Sequence, residues 1–477
     1  MDERTEHTEA EELHNSTDFE ALHDQRIEEM SRLLEEKKMK QLQEALEEND
    51  EFEVAEFLSE LPEQQMAMVF RMLSKEQGAA VFAELDAPEQ EYIINSITDT
   101  ELGGILDELY LDDTVDMMEE LPANVVKRVM RIATPETRKL INQYLKYPDN
   151  SAGSIMTAEF IDLKKYMSVK ESFARIRRIG ADKETIYTCF VTSADRKLEG
   201  IVTVKDLIMA EDEDQIIGDI MDENVIFCTT TDDQEDVSGM FSDYDLLAIP
   251  VVDKEKRLVG IVTVDDVMDV MEQEATEDME IMAAITPSDR PYMKTSALEL
   301  WKNRIPWLLL LMISATFTGM IITSFEDALA VQVALTAFIP MLMDTGGNSG
   351  SQASVTIIRS LSLGDVEFSD ILRVIWKEFR TSVLCGATLA AASFVKILLV
   401  DRLLMGNDGI TFAVALVVCL TLFITVVCAK IVGCTLPMLA EKLKLDPAVM
   451  ASPFITTIVD AISLLIYFTI AKAILHI

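Results

Sequence analysis

The sequence predicts a multidomain chain: an α-helical repeat domain, a duplicated α/β module and an α-helical membrane domain with five spans. Three observations predict it. Charge is segregated, the middle of the chain repeats itself in register, and the last part breaks into five apolar segments. A length of 477 residues already argues for several domains, at about 100–200 residues each. From Trp301 to the end, 12 acids meet 12 bases, so the whole net charge of −42 sits on the first 300 residues. A soluble part this acidic repels nucleic acid and anionic headgroups and attracts cations. For most single carboxylates a solvated surface suffices as the explanation.

Residues 1–25 are polar and acidic, which predicts a disordered tail. The N-terminus lacks an apolar h-region, so the acidic part is expected to stay in the cytosol. Residues 26–147 read as a helical acidic domain. Apolar residues recur at three- and four-residue spacing, as in Val54, Phe57, Leu58 and Leu61. Breakers at Leu61-Pro62, Ala87-Pro88, Leu121-Pro122 and Thr134-Pro135 divide the domain into short helices stacked as degenerate repeats.

Residues 151–271 change to strands and helices. Gly200-Ile-Val-Thr-Val-Lys-Asp206-Leu returns as Gly260-Ile-Val-Thr-Val-Asp-Asp266-Val, and Gly153-Ser-Ile-Met156 returns as Gly218-Asp-Ile-Met221. The boundaries of the copies are about 151–215 and 216–271. This duplication resembles a tandem CBS pair, a module that binds regulatory ligands, often adenine nucleotides. The resemblance puts Thr203 and Asp206, with Thr263 and Asp266, at ribose-contacting positions. The alternative is that each Thr and Asp caps the helix that follows its strand. Residues 272–300 read as an acidic linker helix between this module and the membrane.

The five apolar segments are Pro306–Ser324, Ala328–Ile358, Arg380–Val400, Ile410–Leu436 and Ser452–Leu475. Each has the roughly 20 residues a bilayer requires. Arg359, Arg373, Lys377, Arg380, Lys442 and Lys444 fall in the loops of one side, which predicts a cytosolic N-terminus and an external C-terminus. The six cysteines form no Cys-x-x-Cys pair and the four histidines form no cluster, so neither a disulfide framework nor a zinc site is expected.

Unsatisfied backbone is not tolerated in hydrocarbon. The stretch Thr345-Gly-Gly-Asn-Ser-Gly-Ser-Gln352 must therefore be buried in protein or line water. Pro340, Gly346, Gly347 and Gly350 predict a kinked or opened helix, unless the glycines only form a packing seam. Asn348 and Gln352 exceed what a seam needs and share a face. Asp344 lies near the expected break and is given little weight. Asp460 is the acid of the last segment; Ser452, Thr456, Asp460 and Ser463 fall within about 80° of one another on a helix. An intramembrane carboxylate costs at least a few kcal/mol and is a functional candidate. Lys430 is either its partner or a snorkelling lysine. With no thiolate or imidazole on these faces, oxygen ligands favour a hard cation. One carboxylate per chain in a wide polar constriction suits hydrated magnesium.

The order of parts, together with Thr345–Gln352 and Leu445-Asp-Pro-Ala-Val-Met-Ala-Ser-Pro453 leading to Val459-Asp460, resembles the MgtE family of magnesium channels. The resemblance implies a homodimer in a plasma membrane, with a pore on the two-fold axis lined by the second and fifth segments. It implies pore contacts from Asp460, Asn348, Gly347 and Thr456. Regulatory Mg²⁺ would bind Asp266, Asp269, Glu274, Glu277, Asp278, Asp446, Glu235, Asp245, Asp112 and Asp116, holding the linker helix as a plug. Tyr187, with Thr203 and Asp206, would face a modulating ATP. A Na⁺-coupled carrier and a membrane-tethered nucleotide sensor are the competing readings. No nucleophile–base set or phosphate loop suggests an enzyme.

Overall fold

Short amphipathic runs closed by caps build the first part of the chain. The structure, a computed structural model, describes residues 22–288, 292–293, 295–407 and 409–476, and divides into two units between Val270 and Met271. Residues 1–21 of the expected tail lie outside the described residues, and residues 22–25 already belong to a helix over 22–35. The helices that follow, from Met39–Glu48 to Pro135–Tyr144, are 8–10 residues long. Asp50, Asp86 and Thr98 start theirs with capping boxes that reach Glu53, Glu89 and Glu101. The breaker prolines sit at helix starts: Pro62 and Pro122 precede their helices, and Pro88 and Pro135 open theirs. There proline's missing N–H removes nothing the helix needs. From Glu51–Ser59 on, each helix packs on the second one along the chain, as Glu51–Ser59 does on Lys75–Ala83 and Glu63–Phe70 on Ala87–Ser96.

The α/β part holds two three-stranded sheets of identical order. Asp162–Leu163 runs parallel to Thr188–Thr192, which pairs antiparallel with Leu198–Thr203. Cys228–Thr229, Ala248–Val252 and Leu258–Thr263 repeat the arrangement, with the register shift at the equivalent place, Val251/Val252 for Val191/Thr192. The copies interlock. Ile261 exchanges backbone hydrogen bonds with Thr157 of the other copy (2.8 and 2.9 Å), and Ile201 does so with Asp222 (3.0 and 2.9 Å). The repeated glycines explain themselves here. A Cβ at Gly260 would lie 2.7 Å from Met156 Sδ and from the Thr157 carbonyl, and one at Gly200 would lie 2.8 Å from Met221 Sδ. Each glycine thus receives the methionine that the sequence repeats alongside it.

The linker helix is Val264–Met282, not 272–300. It starts at the Thr263–Asp266 turn, continuous with the last strand, and the next described helix is Ala297–Ser324. Four helices among the described residues are long and apolar enough to cross a membrane: Ala297–Ser324, Phe368–Leu404, Phe412–Lys442 and Pro447–Leu475. The third of the expected segments begins earlier than Arg380 and ends in a π-helical stretch, Ile397–Leu404. The second expected segment has no such apolar helix, because the helix there, Ile339–Ser362, carries the polar run. The expected opening of that helix does not occur. Pro340 sits in its first turn, and the break lies before it, in the 3-10 turn Val333–Phe338. Ile339–Ser362 and Ser452–Leu475 both pack on the buried helix Phe412–Lys442, and the Tyr467 hydroxyl donates to the Leu335 carbonyl (2.9 Å).

Gly260→Val is expected to destabilise the α/β module by about 1–3 kcal/mol through overpacking against Met156. Gly239→Ala, in the helix Gln234–Tyr244 where a Cβ meets nothing within 4 Å, is expected to be neutral or to stabilise by up to about 1 kcal/mol. Thermal unfolding of the two variants beside the parent checks both.

Candidate functional site

Small residues let three membrane helices meet, and the polar residues between them face outward. A Cβ at Gly346 would lie 2.7 Å from Thr425 Cγ2 and 2.9 Å from Ser463 Oγ; one at Gly350 would lie 2.7 Å from Ile455 Cγ2. A Cβ at Gly433 would run into the Gly350 carbonyl. The glycines therefore form a packing seam, the alternative to the kinked or opened helix that was expected. The helix turns its other face out: Asp344, Asn348 and Gln352, four residues apart, are exposed.

That face opens on a recess of about 460 Å³ lined by Ile339, Pro340, Met343, Asp344, Gly347, Asn348, Thr456 and Asp460. The four residues expected at the pore are thus together. Gly347 permits the approach, since a Cβ there would lie 2.9 Å from Thr456 Cγ2. A recess of this size has room for a cation together with several waters. The expected polar stripe divides. Thr456 and Asp460 line the recess, Ser463 turns into the seam and donates to the Val459 carbonyl (2.6 Å), and the Ser452 side chain lies outside the described residues. Asp344 lines the recess beside Asp460, so each chain brings two carboxylates rather than one. Lys430 is neither Asp460's partner nor a snorkelling lysine. It is 6% exposed and pairs with Glu378 at 3.9 Å.

Two acidic clusters lie outside the spans. In the first unit, helix Leu111–Glu120 brings Asp112, Asp113 and Asp116 toward Asp266 and Glu184. Asp112 is 7% exposed, and burial followed by Asp113, Asp266 and Glu184 pushes its carboxyl up to about 9. Burial and neighbouring acids push Glu184 to about 7 and Asp113 to about 6. Burial lifts Asp266 to about 6 against the Thr263 hydrogen bond that opposes it. Asp112 Oδ1 and Glu184 Oε2 are buried without a hydrogen-bond partner. Orphaned oxygens among like charges fit a divalent cation. Among the described residues no three such groups converge tightly enough to hold a bare ion. Asp269 lies in the electrostatic reach of Glu84. Asp113 and Glu184 were missed in the sequence; the Asp112-Asp113 doublet was a usable signal, and Glu184 carried none.

The second cluster belongs to the second unit. Burial, then Asp446 and Glu274, raise the Asp278 carboxyl, while Arg359 opposes them. Glu277 lies on the same helix. Asp446 also accepts from the Ala448 N–H (2.7 Å), starting the turn before Ser452–Leu475. Glu235 and Asp245 sit at opposite ends of the helix Gln234–Tyr244, about 15 Å apart at 1.5 Å per residue, so one chain does not bring them together.

Thr203 and Asp206 meet, and the Tyr187 backbone reaches the start of the helix they cap. The Val204 N–H donates to the Tyr187 carbonyl (2.9 Å), and the Tyr187 side chain is exposed. The Thr203 hydroxyl and N–H both donate to Asp206 Oδ2 (2.5 and 2.9 Å), and the Asp206 N–H donates back to the hydroxyl (3.1 Å). Thr263 donates to Asp266 in the same way (2.6 Å). Both pairs cap helices.

Comparisons with known proteins agree with this division. A divalent cation transporter model, MgtE, matches residues 339–470; the MgtE intracellular N domain matches 49–150; the CBS domain matches 152–213 and 217–273. The chain is 36% identical over 370 residues to the magnesium transporter MgtE of Thermus thermophilus, covering 77% of this chain and 80% of that one. It is 34% identical over 397 residues to that of Bacillus subtilis, covering 82% and 85%. The crystal structure of the soluble part of a magnesium transporter matches with a TM-score of 0.50 and 29% identity, over 53% of this chain and 99% of that one.

The raised carboxyls hold their protons to higher pH in the folded unit than in the unfolded chain. Without divalent cations the first unit is therefore expected to lose stability as pH rises from about 5 to about 9, the upper part of the loss belonging to Asp112. Asp112→Asn flattens that upper part. Thermal unfolding of residues 1–270 in chelator across this range checks the sign, and a rise in stability toward high pH contradicts it.

Proposed function

The chain belongs to the MgtE family of magnesium transporters, and we propose that it is a Mg²⁺-selective channel for magnesium uptake, closed by cytosolic Mg²⁺. One observation carries the reading: a recess with two carboxylates, an amide and a hydroxyl, roomy enough for a hydrated ion, on helices otherwise built for lipid. Asp460 supplies charge at the path, Asn348 and Thr456 offer oxygens to the ion's water shell, and Gly347 keeps the wall close. The Asp344, Asn348 and Gln352 face cannot meet hydrocarbon. A second copy across a two-fold axis encloses it in water, which favours a homodimer, and Ile339–Ser362 is then the fifth span. The bases in the loops support cytosolic N-terminal parts and an external C-terminus; a plasma-membrane location belongs to the same proposal.

Closure follows from the two acidic clusters. When Mg²⁺ is bound, its two positive charges cancel the mutual repulsion of the carboxylates. Asp112, Asp113, Asp116, Glu184 and Asp266 then tolerate burial together, and Asp278, Glu274 and Asp446 hold the linker helix against the membrane part. Without the ion these groups repel within about a Debye length, roughly 8 Å in the cell, and the compact state loosens. Because Val264–Met282 is one helix, it carries displacement from the α/β module to the acids at its far end. The magnitudes close. Reversing a 1:99 equilibrium takes about 5.5 kcal/mol. A site filled at ten times its Kd contributes about 1.4 kcal/mol, so about four sites suffice, and two clusters in each of two chains number four. The exposed Tyr187 side chain, on the residue whose carbonyl accepts from Val204, supports ATP as a modulator that would stack on the ring.

Asp460→Ala is expected to abolish Mg²⁺ uptake into proteoliposomes; wild-type flux from that variant rules out the recess as the path. Neutralising Glu274, Glu277 and Asp278 together is expected to leave the channel open at high internal Mg²⁺, read as flux with internal Mg²⁺ varied. Unchanged closure there counts against the plug.

A further inference from the structure

Three acids in the membrane part carry ion pairs. Glu378 pairs with Lys430 at 3.9 Å, Asp370 with Arg373 at 2.7 Å and Asp401 with Lys396 at 2.8 Å. Asp344 and Asp460 have no such base among the described residues, and both line the recess. An unpaired carboxylate on a spanning helix is costly, and a second one beside it adds repulsion. Asp344 also stands on the helix that makes the closest backbone approaches in this part, so its place is fixed by the glycine seam rather than by a mobile loop. It lies one turn, about 6 Å of helix rise, from Asn348 toward the Ile339 end.

Resting on the reading of this recess as the ion path, we propose that Asp344 is a second ion-holding carboxylate of each chain. It receives the hydrated divalent cation at the Ile339 end and sets affinity and charge preference there. On the proposed orientation that end faces outside, so Asp344 is the first carboxylate an incoming cation meets. Across a two-fold axis the two copies of Asp344 and Asp460 make two successive acidic levels, each able to hold a cation through its water shell. Two levels let one ion's arrival help release the other, as conduction requires.

The test is Mg²⁺ uptake by the full-length protein in proteoliposomes against external Mg²⁺, for the parent, Asp344→Asn, Asp344→Glu and Asp460→Asn. Hexaamminecobalt(III), an inert octahedral trivalent cation, serves as a blocker. Asp344→Asn is expected to raise half-saturating Mg²⁺ about tenfold, as loss of a nearby charge does at intermediate dielectric. It should weaken cobalt block by a larger factor, because the blocker's charge is higher, while closure by internal Mg²⁺ is unchanged. Asp344→Glu restores both. If Asp344→Asn matches the parent in half-saturation and block while Asp460→Asn is silent, the proposal falls and the path stands. If Asp460→Asn transports like the parent, the path reading itself falls. Asp344→Ser replaces Asp344→Asn if the latter does not elute with the parent's profile.

Discussion

The backbone crossing at Gly350 and Gly433 is the contact on which the membrane part depends. No side chain fits between the helices Ile339–Ser362 and Phe412–Lys442 there, because a Cβ at Gly433 would run into the Gly350 carbonyl. Hydrocarbon supplies no hydrophobic drive for helices to associate, so close van der Waals packing must. Gly346 and Gly347 extend the same seam to Thr425, Val459, Ser463 and Thr456. With one face committed to the seam, the helix has a fixed rotation. Asp344, Asn348 and Gln352 then have only one direction to face, and Asp460 is brought to the same recess from the antiparallel helix. One short stretch thus supplies both the packing and the polar wall.

The soluble part depends on the opposite kind of contact. Its excess of acids is a store of repulsion kept by folding rather than relieved by it. Asp112 and Glu184 each bury an oxygen with no donor, which a stability-driven core would not retain. The interlocked α/β copies bear that strain. Ile261 with Thr157 and Ile201 with Asp222 tie the copies by backbone bonds that carry no charge. Under the proposed gating, these ties hold the two copies together while the carboxylates at their edge respond to the cation.

Much of this was readable in the residues, for physical reasons that can be named. The duplicated glycines are local necessities of a backbone contact, so they recur wherever the copy recurs. Prolines mark helix starts in the first part because each short helix needs its own cap. The same rule, misapplied, produced the expected break at Pro340: proline in a first turn opens a helix rather than kinking it, and the sequence alone did not say where the helix began. The expected linker of 272–300 overran the helix: the acids are concentrated before Met282, residues 283–300 hold two acids and two bases, and Pro287 and Pro291 are stop signals that the longer range ignored. Lys430 found Glu378, and Asp344 found Asp460, through crossings of helices far apart in sequence. Such pairings follow from tertiary rotation, and no periodicity encodes them. Glu184 is the plainest case, an acid in an irregular stretch made significant only by what folds over it.

Water is what joins the recess and the acidic clusters into one design. On the proposed reading, the carboxylates of the recess and of the two acidic clusters meet the cation through its water shell. Magnesium gives up its waters reluctantly, so a cage of direct ligands would bind slowly and release slowly. Contacts through the shell act by charge and by the size of the hydrated ion. In a path, that lets an ion enter favourably and still leave. In a regulatory cluster, it lets occupancy follow a changing concentration instead of saturating. If the proposed reading holds, the same outer-sphere chemistry serves permeation and sensing, and the two differ in what the protein does with the charge. In the recess the carboxylates stand on packed helices and hold still, whereas at the linker they stand on a helix that repulsion can displace.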